Sequence, residues 1–241
     1  QPRNQQTARP GENVHGKPRF YRFCRCLCRF GTAWYWSIRS NGQQHLPLDG
    51  GILVLANHQS VLDPVMIGVC TQRQLTYLAR KTLFRGPGRW LIESLNAIPI
   101  DRDGFGLSGL KETLRRLKRE EAVLIFPEGT RKMDDDIVLQ PFKSGIYHLA
   151  LSQPDTEFIP VWLENINRVL PKGKLIPVPL LCHVNIGEPV VLQNGEDKAS
   201  FLQRTRHAML QLAALHELER QAMAATPAVS AAPAAPEGEQ P

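Results

Sequence analysis

Apolar residues along this chain alternate between short unbroken runs and stripes at helical spacing. Ile52–Ala56, Leu75–Ala79, Ala97–Ile100, Ala122–Phe126, Phe158–Leu163 and Cys182–Ile186 are runs of the kind that forms buried strands. Helical segments separate them: Ser60–Val69, Leu107–Glu120 with Leu107, Leu110, Leu114 and Leu117 in one stripe, and Ser144–Leu151. A last helix over residues 198–224 carries Phe201, Ala208, Leu212 and Leu215 on one side. Alternation of strand and helix predicts an α/β fold, a mainly parallel central sheet covered by helices. No internal repeat interrupts it.

Outside that region the pattern changes. Over residues 17–40, Phe20, Phe23, Leu27, Phe30 and Trp34 recur at helical spacing, while Arg22, Arg25 and Arg29 follow another face. This predicts an amphipathic, basic helix suited to a membrane interface, with Trp34, Tyr35 and Trp36 at headgroup depth. The same pattern also fits a helix packed on the main domain with its arginines in water. The apolar stretch Phe30–Ile38 is far shorter than the ~20 residues a spanning helix needs. Residues 1–16 are polar without periodicity and residues 226–241 form a Pro/Ala-rich tail, so both are expected to be disordered. The folded domain is expected over residues 45–220.

Composition narrows the partners only a little. With 241 residues and 42% hydrophobic content there is material for one buried core. A net charge of +6 points to anionic partners: nucleic acid, a membrane surface or a phosphorylated substrate. No nucleic-acid-binding module is recognisable, so a nucleic-acid partner is not expected. Of five cysteines, Cys24, Cys26 and Cys28 alternate too closely to pair with one another, which predicts a reducing compartment and no disulfide framework. No second Cys/His cluster completes a zinc site, and no metal is expected.

Chemistry concentrates where the runs end. After Ile52–Ala56 comes Asn57-His58-Gln59-Ser60-Val61-Leu62-Asp63. At roughly 100° per residue, positions five apart on a helix point about 140° away from each other, so His58 and Asp63 can meet only if His58 precedes the helix. Ser60 with Asp63 reads as a capping box, and Pro64 suits a first helical turn. The aspartate can then fold back onto one imidazole nitrogen and leave the other free as a base. A structural histidine beside a capping aspartate fits these residues equally well. Arg102 follows Ala97–Ile100, and Pro127-Glu128-Gly129-Thr130-Arg131 follows the next run. Two arginines at strand ends, with Lys81 after Leu75–Ala79, suit a phosphate group, and Gly129 allows close backbone approach.

Together Asn57-His58-Gln59-Ser60-x-x-Asp63, Ile98-Pro99-Ile100-Asp101-Arg102, Phe126-Pro127-Glu128-Gly129-Thr130-Arg131 and Ile159-Pro160-Val161 resemble the four ordered motifs of the glycerolipid acyltransferase family. That family includes bacterial 1-acylglycerol-3-phosphate acyltransferases. Pro141–Gly145 and Arg168–Gly173 also resemble family segments, so the likeness covers residues 45–192. Asn96 stands where the family often has glycine, and asparagine tolerates a left-handed backbone. The resemblance implies acyl transfer from acyl-CoA or acyl carrier protein to a lysophospholipid hydroxyl, without a cofactor. His58 would be the general base and Asp63 its orienting acid. Arg102, Glu128, Gly129, Thr130 and Arg131, helped by Lys81, would bind the phosphorylated acceptor, and Pro160 would shape the acyl side. It implies a peripheral or monotopic protein on the cytoplasmic face of a membrane. The alternatives are another acceptor (a different lysophospholipid, a lyso-ornithine lipid or glycerol 3-phosphate) and a non-catalytic lipid- or acyl-CoA-binding protein.

Overall fold

Strands β1 (Ile38–Asn41), β2 (Ile52–Ala56), β3 (Leu75–Arg80), β4 (Ala97–Ile100), β5 (Ala122–Ile125), β6 (Glu157–Glu164) and β7 (Cys182–Ile186) form one sheet in the order β1-β7-β6-β2-β5-β3-β4. This computed structural model describes residues 22–23, 26–27, 38–60, 62–85, 89–94, 96–100, 106–129, 139–169 and 181–225. Within the sheet every pairing is parallel except β6 with β7. The helices are α1 (Asp63–Cys70), α2 (Arg89–Ser94), α3 (Leu107–Leu117), α4 (Gly145–Ser152), α5 (Ile166–Val169) and α6 (Lys198–Ala225). The expected α/β architecture, mostly parallel and helix-covered, is what forms.

Burial of β2 on both faces explains its unbroken apolar run. Val54 and Ala56 face one way, with Ile159, Val161 and Leu163 of β6, and pack on Met66, Ile67 and Cys70 of α1. Leu53 and Leu55 face the other way and meet Leu117 of α3, Ile146 and Leu149 of α4, and Phe201 and Met209 of α6. This is the period-two alternation of a strand covered by helices on both sides.

Several boundaries differ from the sequence reading. Ile38–Asn41 is an edge strand paired with β7, so the helix expected over 17–40 cannot reach its stated end and the sheet begins before residue 45. The rest of that expected helix lies almost wholly outside the described residues, as do both expected disordered ends. Helix α1 starts at Asp63 rather than Ser60. Leu107 is 78% exposed, so the α3 stripe begins effectively at Leu110, and Leu215 on α6 is exposed rather than packed. Asn96 adopts the left-handed conformation expected of it, with φ +68°, and its side-chain amide donates to Thr76. Among the described residues, no helix is long and apolar enough to cross a membrane.

Candidate active site

Parallel pairing carries the C-terminal ends of β2, β5, β3 and β4 to one edge of the sheet, in that order across it. The motifs other than that of β6 follow these strand ends, and β6, also parallel to β2, ends on the same side with its motif inside the strand. The first such end is the exit of β2. Asn57 is buried and its side chain imitates a peptide group: its amide donates to the Leu163 carbonyl at 3.0 Å and its oxygen accepts from the Leu163 amide at 2.7 Å. A buried polar side chain with both halves paired pins the loop to β6 at the residue before His58.

His58 follows, held at its backbone, its ring edge and its ring face. Its amide donates to Glu128 Oε1 at 3.2 Å. Its Nδ1 lies 2.8 Å from Asp63 Oδ2. Phe126, at the exit of β5, stacks on the imidazole with centroids 4.0 Å apart and planes 20° from parallel. The side chain retains 21% exposure, so the remaining part of the ring is open. An ionised carboxylate only accepts, so Nδ1 is the donor in this pair, and in the neutral imidazole the lone pair is then on Nε2.

Asp63 is fully buried as the first residue of α1. Its Oδ2 also accepts from the Gln59 amide at 2.7 Å and the Ser60 amide at 2.9 Å. Only half of the expected capping box forms: Asp63 reaches back to the Ser60 amide, while Ser60 Oγ accepts from Leu62 N at 3.3 Å. One oxygen thus organises the turn and orients the imidazole.

Glu128 takes a different part from the one expected of an acceptor ligand. A tight turn, closed by Gly129 N to the Phe126 carbonyl at 3.0 Å with Gly129 at φ +76°, sends the Glu128 side chain inward. It is 3% exposed, with Oε1 on the His58 amide and Oε2 on the Gln140 amide at 2.9 Å. Next to Gln140, the Leu139 carbonyl accepts from Arg206 of α6 at 2.7 Å, and Lys143 N donates to the Pro127 carbonyl at 3.0 Å. The segment after residue 138 is therefore tied to the His58 loop through one buried carboxylate. Glu128→Gln keeps the volume but sets its amide against one of the two backbone N–H groups. It is expected to cost about 1–3 kcal/mol of stability in urea unfolding and to lower turnover, because the lost partner is a buried donor.

Of the other expected site residues, Lys81 is exposed where β3 ends, on the same sheet edge. Pro160 is buried within β6 opposite Leu55, and its carbonyl accepts from Gly187 N at 2.8 Å. A proline fits this strand because β6 pairs with Ile186 and then with Val190, so the ladder is interrupted beside it. Pro160 thus supports the sheet behind the His58 loop. Arg102, Thr130 and Arg131 lie outside the described residues. Asn57 and Phe126 were inside recognised motifs but had no role assigned. Arg206 had no sequence signal at all.

A family model described as Acyltransferase matches residues 37–164, a span holding His58, Asp63, Lys81, Glu128 and Pro160. The 1-acyl-sn-glycerol-3-phosphate acyltransferase of Bacillus subtilis is 30% identical over 54% of this chain and 64% of its own length. The human 1-acyl-sn-glycerol-3-phosphate acyltransferase alpha is 28% identical over 72% of this chain and 62% of its own. The chain thus spans somewhat under two thirds of the length of these relatives. In fold it is similar to the crystal structure of the 1-acyl-sn-glycerophosphate acyltransferase PlsC from Thermotoga maritima, with a TM-score of 0.66 and 24% identity over 79% of this chain and 77% of that one. A family match that runs from β1 to the end of β6, across both members of the His58–Asp63 pair, means that the chain belongs to the acyltransferase family.

Proposed function

We propose that this protein transfers an acyl group from a thioester, acyl-CoA or acyl carrier protein, to the free hydroxyl of 1-acylglycerol 3-phosphate, giving phosphatidic acid. The observation that carries the reading is the His58–Asp63 pair at 2.8 Å, with the carboxylate buried and the imidazole part-exposed. The names of the curated relatives support the acceptor.

In this mechanism Nε2 of His58 takes the proton of the acceptor hydroxyl as its oxygen attacks the thioester carbonyl carbon. The C–O bond forms and the C–S bond breaks. The departing thiolate then receives the proton from the imidazolium. A thiol with a pKa near ~8.5 leaves far more readily than an alkoxide, so one positioned base suffices. Asp63 stabilises the imidazolium while it exists, and the Phe126 face keeps the ring from turning away from the acceptor. Lys81, Arg102 and Arg131, with the Gly129–Thr130 backbone, would hold the acceptor's phosphate by charge-assisted hydrogen bonds. Glu128, its oxygens taken by amides, serves as a positioning residue.

A lysolipid acceptor resides in a bilayer, which places the reaction at a membrane surface. We assign the protein to its cytoplasmic face as a peripheral or monotopic enzyme. The test is a purified-protein assay of both thioester donors against lysophosphatidate, other lysophospholipids, a lyso-ornithine lipid and glycerol 3-phosphate. Lysophosphatidate is expected to give the highest kcat/KM. A higher value for an acceptor without phosphate would overturn the assignment, and absence of any acyl transfer would favour a binding protein.

A further inference from the structure

Between Asp63 and Glu93 the sequence holds no acidic residue but carries Arg73, Arg80, Lys81, Arg85 and Arg89. Arg73 donates to the carbonyls of Pro47, Asp49, Gly50 and Glu120, and Arg89 pairs with Glu93 at 2.7 Å. Arg80, Lys81 and Arg85 are exposed on one short stretch, the end of β3 and the 3-10 turn Lys81–Arg85. Phe84 roots that turn, only 8% exposed and packed with Ala79, Ala97, Tyr77 and Ile92. Its neighbour Leu83 points the other way and is 53% exposed. A lone surface leucine needs no explanation. A leucine held out by a buried neighbour, among exposed cations in a stretch free of acids, is a different case.

We propose that this turn is a docking surface for an anionic lipid bilayer. Leu83 enters the headgroup layer while Arg80 and Arg85 meet lipid phosphates, with their aliphatic stems lying along the apolar region. Parallel pairing puts the turn at the sheet edge from which the His58 loop leaves, so docking there brings the base to the lipid surface. This assignment rests on the proposed lysolipid acceptor. An acidic protein, such as an acyl carrier protein donor, would also complement the cations. The bilayer is favoured because the centre of the patch is an aliphatic side chain and because the proposed acceptor is itself a bilayer lipid.

The experiment uses the full chain and its Leu83→Glu and Arg85→Glu variants, with Leu218→Glu, at an exposed leucine of α6, as control. Cosedimentation is measured with vesicles of phosphatidylcholine alone and of phosphatidylcholine with phosphatidylglycerol. Activity is measured with lysophosphatidate in those vesicles and with a short-chain, freely soluble lysophosphatidate. Leu83→Glu and Arg85→Glu are expected to weaken binding to the anionic vesicles by about tenfold or more and to lower vesicle-borne activity in parallel. Activity on the soluble acceptor should stay near wild type, which also reports that the variants are folded, and Leu218→Glu should bind as wild type. Vesicle binding unchanged in both variants would overturn the proposal, including the case where only acyl carrier protein binding falls. A wild-type protein that acylates neither acceptor counts against the proposed function, while vesicle binding still decides the docking surface.

Discussion

Replacing His58 with alanine is expected to lower kcat/KM for acyl transfer by about 10²–10⁴-fold, the range supplied by a positioned general base. The loss should fall on kcat, with the KM values for donor and acceptor little changed, because the ring acts on a proton rather than holding either substrate. The variant should remain folded: the side chain is part-exposed, and the hydrogen bond to Glu128 is donated by the backbone N–H and survives. Imidazole added to the assay is expected to restore part of the activity, since the vacated space lies beside Phe126 and the intact Asp63 carboxylate. Circular dichroism and steady-state kinetics on the same preparation check both halves. Near-wild-type turnover in a folded His58→Ala protein would remove His58 from the mechanism.

The second large effect is at Asp63, where the structure predicts a difference between two substitutions. All three hydrogen bonds to this side chain converge on Oδ2, from His58 Nδ1, Gln59 N and Ser60 N, while Oδ1 is buried without a partner among the described residues. Asparagine can therefore place its carbonyl oxygen at the Oδ2 position and keep every bond, including the tautomer of His58. What it loses is the negative charge opposite the transient imidazolium, about 1.5–3 kcal/mol for a charge-assisted hydrogen bond. That is roughly a 10–100-fold fall in kcat. Alanine removes the acceptor altogether, frees the imidazole and leaves two loop amides unsatisfied, so Asp63→Ala should approach the loss seen for His58→Ala. It should also cost a few kcal/mol of stability in urea, on the order of 1–3 kcal/mol for each orphaned donor. Equal kinetic losses for Asn and Ala would mean that charge alone matters and that the shared-oxygen geometry does not.

How far these features could be read in advance depended on whether their cause was local. The β2 run is apolar throughout because the strand is buried on both faces, and its end is a natural place for a ligand loop. Helical geometry put His58 before the helix, the one place from which it can meet Asp63. The start of α1 could not be read in this way: Asp63 Oδ2 takes the Gln59 and Ser60 amides, and the helix begins at Asp63 rather than at Ser60. Edge strand β1 was read as the end of a helix: Ile38-Arg39-Ser40-Asn41 alternates between part-buried and exposed residues and has no apolar run to mark it. At Glu128, a carboxylate within a motif of cations reads as a ligand contact. Its direction is set by amides 70 residues before it and 12 after it, which no local pattern records. Arg206, 67 residues from the carbonyl it holds, was hidden for the same reason.

The central claim is direct transfer, with His58 passing a proton from the acceptor hydroxyl towards the leaving thiolate and no acyl group resting on the protein. A single-turnover experiment tests it most directly: enzyme in excess over a radiolabelled acyl thioester is mixed with 1-acylglycerol 3-phosphate and quenched at intervals. Predicted are thiol release and phosphatidic acid formation at one rate and in equal amounts, with no label on the precipitated protein, and both absent in His58→Ala. Label accumulating on the protein before phosphatidic acid appears, or thiol released without phosphatidic acid, would contradict the account.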